Sequence, residues 1–246
     1  MAKMVGLSRT IKLPWLNKAA ELYGSEYTEA EAKEQLNEFL AYEIGSPIVL
    51  RKTREILMNI WFYGDGDSKK LKDTGYSLIK KDEDNELPVH WCLMLNAYPV
   101  FVDLCRLIGK MTEFEETITV KQIRQKLYDE WGERATLLHS LDKQIATLKA
   151  LGALENQKTG VYVVKKHDVR KPDVVKYMLQ TMMMVDGRDY YTFEEMESSV
   201  YLFPFTYSVN KESILTDDRF VMNTFGGNRT VSLSCKSRPN GVVIPK

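Results

Sequence analysis

Cysteine is scarce in this chain. Cys92, Cys105 and Cys235 are the only three in 246 residues. Their spacing matches no zinc site, which excludes a small metal-stapled domain. An odd count does not suit a disulfide framework, so buried thiols in a reducing compartment are expected. Histidine is equally sparse: His90, His139 and His167 stand far apart, with no ligand-spaced partner. Phosphate-cradling glycine loops and a nucleophile elbow are both missing. No metal, no cofactor and no catalytic residues are therefore expected, and the function expected is binding. Net charge is missing too, with 34 Lys and Arg against 34 Asp and Glu. That excludes a uniformly basic nucleic-acid protein, and any DNA-facing surface must be local. Long apolar runs are absent as well. The densest, from Trp91 to Ile108, is broken by Asn96, Pro99, Asp103 and Arg106, well short of the ~20 residues of a membrane span. The N-terminus shows no apolar run of signal-peptide length, so a cytoplasmic location is expected.

What is present is a composition of 44% hydrophobic and 28% charged residues, which suits a folded globular protein. The most informative stretch covers residues 117–166. Thr119 and Gln122 have the spacing of a capping box. Val120, Ile123, Leu127 and Trp131 then fall on one helical face, and Gly132 permits a sharp turn. Leu137, Leu138, Leu141, Ile145, Leu148 and Leu151 mark a second helix, with Gly152 just past its end. A β-hairpin follows, with a polar tip at 156–160 and a β-branched return strand at 161–164. Helix, turn, helix and hairpin in this order predict a winged helix-turn-helix, whose second helix commonly enters a DNA major groove.

The second helix has a polar face bearing Thr136, Ser140, Lys143 and Thr147, flanked by Arg134, His139 and Gln144. Such side chains reach base edges and phosphates. Lys158, Lys165 and Lys166 would add grip from the wing. The stretch holds nine bases and five acids, so its balance is 9 − 5 = +4, which favours a salt-sensitive contact with phosphates. The competing interpretations are a winged helix that docks on protein, and a transcriptional regulator with a ligand-binding or dimer-forming C-terminal part.

Residues 1–80 read as a helical unit resembling a second helix-turn-helix. Pro14 opens a helix that ends at Gly24, Thr28 and Glu31 form a capping box, and Ser46-Pro47 starts a third helix. That third helix is expected to start with Arg51, Lys52, Thr53 and Arg54, a basic N-terminal turn where a recognition helix presents its reading residues. A basic cluster there opposes the helix dipole, so either phosphate or an acidic neighbour in the fold should compensate it. Residues 64–75 read as a flexible polar loop; their Gly-Asp-Gly-Asp lacks the spacing and closing Glu of a calcium loop.

Residues 81–166 combine an apolar helical block, divided or kinked at Pro99, with the winged helix. Residues 167–246 read as an α+β region. It contains a helix over 168–185 and a β-hairpin around Gly226-Gly227-Asn228. Its aromatic residues Tyr190, Tyr191, Tyr201, Phe203, Phe205 and Tyr207 are either core or a stacking surface for bases. The fold class expected is therefore mainly α with small β elements.

Four stretches carry a resemblance to a known family: SPIVLRKTREILMNIW, LMLNAYPVFVDLCRLI, TLLHSLDKQIATLKALGALE and VYLFPFTYSVNKESILTDDRFVMNTFGGNRTVSLSC. In content and order they resemble the BrxA family of the BREX phage-defence systems. The resemblance covers most of the chain and rests on pattern, not on an invariant motif. It implies a small, mainly helical, non-enzymatic protein with two helix-turn-helix-like parts. Such a protein binds double-stranded DNA and acts beside a methyltransferase and other defence-system proteins. No individual binding residue follows from the resemblance.

Overall fold

The computed structural model describes residues 6–25, 27–133, 135–225 and 228–234, with the side chains at 135, 136, 225 and 228 outside the description. The chain is mainly helical with three small sheets.

Helices α1 (Leu13–Tyr23), α2 (Glu29–Ala41) and α3 (Pro47–Trp61) pack on one another. The Thr28 hydroxyl accepts from the Glu31 amide while the Glu31 carboxylate accepts from the Thr28 amide, which closes the expected capping box. Pro47 occupies the first turn of α3, where its missing N–H costs nothing.

Residues 66–81 correct an expectation. Of the flexible polar loop expected at residues 64–75, residues 66–75 lie in helix α4 (Gly66–Lys81). Its apolar stripe is thin, consisting of Leu71, Gly75 and Leu78, and it is completed by neighbouring helices. A Cβ at Gly75 would lie 2.7 Å from the Tyr177 hydroxyl and 2.8 Å from Val89 Cγ1. The glycine thus permits close packing. Lys72 is buried, its ammonium donates to the Tyr63 carbonyl, and burial pushes its pKa down to about 8.

Helices α5 (Glu86–Ala97) and α6 (Pro99–Thr112) meet at Pro99, as expected, with a bend of 118°. Helix α5 is the central element, packed against α1, α3, α4, α6 and α9 (Pro172–Asp186). No single described helix is long and apolar enough to cross a membrane. Trp91 on α5 meets Phe101, Phe203 and Phe205 edge-on at 5.2, 5.4 and 5.6 Å. Its indole N–H donates to the Tyr201 carbonyl at 3.0 Å. The aromatic cluster is therefore chiefly core, with Tyr190 (44% exposed) outside it. Cys92 and Cys105 are buried free thiols; Cys235 lies outside the described residues.

After α6 come β1 (Ile118–Thr119), α7 (Val120–Trp131), α8 (Ala135–Ala150), β2 (Leu154–Lys158) and β3 (Val161–Val164). The strands form an antiparallel sheet in the order β1-β3-β2, with Ile118 opposite Tyr162 and Leu154 opposite Val164. This is the order of a winged helix. Strand β4 (His167–Asp168) then pairs in parallel with β5 (Phe205–Thr206). Short helices α10 (Phe193–Glu197) and α11 (Lys211–Leu215) precede the C-terminal hairpin β6 (Phe220–Phe225) and β7 (Asn228–Leu233). Buried side chains from all these regions join one hydrophobic cluster.

Candidate nucleic-acid interface

Local chemistry sets the two helices of the winged helix. The Thr119 capping box starts α7, and the Gly132 amide ends it on the Tyr128 carbonyl at 2.8 Å, with φ at +75°. That conformation favours glycine. Trp131 anchors α7 by donating from Nε1 to the Asp103 carboxylate on α6 at 2.7 Å. An Arg106–Glu130 ion pair lies alongside. Arg124 on α7 reaches Asp142 on α8 at 3.5 Å.

Helix α8 divides into three longitudinal strips, because successive residues turn by about 100°. Leu137, Leu141, Ile145 and Leu148 face the core. His139, Lys143 and Ala150 form an exposed strip, with Ala146 half-buried between them and Asp142 and Lys149 on one flank. Ser140, Gln144 and Thr147 occupy the other flank, and all three are buried.

The cover over Ser140, Gln144 and Thr147 is the N-terminal arm. The Ser140 hydroxyl donates to the Gly6 carbonyl at 2.9 Å and lies 3.3 Å from the Leu7 carbonyl. Gln144 Nε2 donates to Ser140 Oγ at 2.8 Å. The Ile11 amide donates to Thr147 Oγ1 at 2.9 Å, while the Thr147 hydroxyl donates back to the Lys143 carbonyl at 2.9 Å. Leu7 and Ile11, at 1% and 0% exposure, pin the arm into the core at two points. Leu7 holds φ at +40°, a conformation that costs a non-glycine residue about 1–3 kcal/mol and persists only where the surroundings impose it.

The expectation that Ser140 and Thr147 face DNA is therefore corrected. Their hydroxyls satisfy the arm's backbone, and a buried backbone amide or carbonyl needs such a partner. His139 and Lys143 stay on the exposed strip. Arg134 and the Thr136 side chain lie outside the described residues.

The wing lysines divide as well. Lys158, Lys165 and Lys166 are all exposed, and among the described residues none has an acidic partner. Lys166 does not stand free: its ammonium donates to the Phe203 carbonyl at 2.6 Å, and burial shifts its pKa down. It lines a cavity of about 250 Å³ with Thr112, Ser199 and Tyr207. Lys149 lies 5.6 Å from the Tyr162 ring centre, which joins α8 to the wing.

The N-terminal basic cluster resolves in the same way. It occupies the second turn of α3, not the first. Arg51 and Lys52 are exposed, whereas Thr53 is 1% exposed. Arg54 pairs with Glu55 through Nη2 at 2.5 Å and Nε at 3.0 Å, and donates to Asn37 at 3.1 Å. For Arg54 the compensating group is the acidic neighbour. Its assignment as a phosphate contact is corrected, because its guanidinium joins α2 to α3.

The arm escaped the sequence analysis. Its one signal is the pair Leu7 and Ile11, four apart around Arg9, ahead of the first helix. Among the described residues, no group of three or more His, Cys, Asp or Glu is placed to hold a metal ion. Comparison with protein-family models, curated proteins and solved structures finds no match.

Proposed function

We propose that this protein is a non-enzymatic binder of double-stranded DNA. One observation carries the proposal: a winged helix whose second helix keeps His139 and Lys143 on its exposed strip, beside a wing that presents Lys158 and Lys165. Lysines without acidic partners meet phosphate without first breaking an ion pair, so most affinity would come from the backbone and sequence preference would be modest. Arg51 and Lys52 on α3 offer a second contact. The phage-defence setting, with partners of a BREX-like system, rests on the family resemblance and is tested by the neighbouring genes.

A mobility shift with random duplex at low salt tests the DNA contact. Replacing Lys143, Lys158 and Lys165 together with Glu should abolish the shift. A shift that survives the triple change defeats the assignment.

One observation favours protein docking instead. Phe114 is 87% exposed, beside Leu107, Met111, Lys110 and Lys126 in a shallow groove between α6 and α7. Duplex binding without salt dependence, or none, would support that alternative.

A further inference from the structure

The arm does more than cover part of α8. Its carbonyls at Gly6 and Leu7 sit on Ser140, and its amide at Ile11 sits on Thr147. Residues 8–10 therefore run alongside two turns of α8, next to the exposed His139–Lys143 strip. The wing borders that strip on its opposite side, where Lys149 meets Tyr162. The exposed strip thus has two edges, one formed by the wing and one by the arm.

Arg9 occupies the middle of the arm edge. Its Nη1 donates to the Ser8 carbonyl at 2.6 Å, and its Nε is buried with no hydrogen-bond partner. Among the described residues it has no carboxylate partner. Ser8, Arg9 and Thr10 are all half-buried. A guanidinium held on a fixed backbone, with no carboxylate to displace, is suited to a phosphate, which it would meet through its terminal nitrogens because Nε is buried.

We propose that the N-terminal arm is the second DNA-contacting edge of the winged helix, with Arg9 as its phosphate contact. This rests on the DNA-binding function proposed above. The arm's backbone would take the groove-wall position left by the buried Ser140 and Thr147, and Arg9 would supply the charge those residues lack. The arm is thus part of the binding surface, not a cover that must leave before DNA binds.

Fluorescence anisotropy with a random duplex, using the full chain across a salt series, tests this. Arg9→Ala leaves the arm's hydrogen bonds to α8 in place. It should weaken binding about five-fold or more at low salt. It should also reduce the slope of log K against log salt by about 0.9, the value for one phosphate contact. Ser8→Glu places a negative charge on the same edge without touching Arg9 and should weaken binding in the same direction. Unchanged or tighter binding by both variants, with Lys143→Glu still impaired, overturns the arm proposal and leaves the DNA proposal standing. No binding by the wild-type chain overturns both.

Discussion

Thr147 Oγ1 accepts a 2.9 Å hydrogen bond from the Ile11 amide, joining the arm to α8 across 136 positions of sequence. Both groups are buried, so neither has water as an alternative. Thr147→Val keeps the shape of the side chain and strands the amide. Loss of a partner for a buried donor costs about 1–3 kcal/mol. The thermal midpoint should fall by several degrees, and Thr147→Ser, which keeps the hydroxyl, should recover most of the loss. Equal midpoints for all three proteins would mean that the bond contributes nothing.

Gly109 marks the closest approach of α6 to the turn at Val200–Leu202. A Cβ there would lie 2.1 Å from the Val200 carbonyl oxygen and 2.7 Å from its carbon. These are backbone atoms, so no rotamer change relieves the clash. Gly109→Ala should destabilise by about 3 kcal/mol or more, despite the roughly 1 kcal/mol that alanine gains over glycine in a helix. Urea unfolding measures it, and a neutral or stabilising change would contradict the packing.

His90 is fully buried. It accepts from Trp61 Nε1 on its Nδ1 at 3.2 Å, which leaves Nε2 as the protonated nitrogen facing Asn17 Oδ1 at 2.8 Å. Burial pushes its pKa down to about 3, whereas the unfolded chain should titrate near 6.5. Between those values the unfolded state binds the extra proton. Stability from this group is therefore complete above pH 6.5 and lost progressively as pH falls toward 3, at about 1.4 kcal/mol per pH unit. His90→Gln should lower stability at pH 7 but flatten its decline between pH 6.5 and 4.5. An unchanged decline would assign the pH dependence to other groups.

Lys165 and Lys166 are adjacent in sequence and differ in role. Both are exposed, but the Lys166 ammonium donates to the Phe203 carbonyl whereas Lys165 has no such partner among the described residues. Lys165→Ala should weaken duplex binding with little change in stability. Lys166→Ala should lower stability and affect binding less. The reverse split, read by anisotropy and thermal unfolding on the same samples, would contradict the placement of the two amines.

Features with short-range causes were legible in the sequence. The capping boxes at Thr28–Glu31 and Thr119–Gln122, the stop at Gly132 and the bend at Pro99 each depend on a few adjacent residues. Helix α4 was not legible, because Leu71, Gly75 and Leu78 make a weak stripe that becomes a core face only when Val89 and Tyr177 pack on it. The polar strip of α8 failed for a related reason. Ser140 and Thr147 have the chemistry of a surface that meets a polymer backbone, and that backbone is the chain's own arm. Arg54 shows the same limit, since the sequence shows its charge but not that Asn37 and Glu55 take up its donors.

The slope of log K against log salt for a random duplex tests the central claim most directly. The wild-type chain should bind more weakly as salt rises, and Lys143→Ala combined with Lys158→Ala should reduce the slope by about 1.8, at about 0.9 per phosphate contact. A wild-type chain with no duplex binding at low salt, or a slope that the double substitution leaves unchanged, would contradict the account.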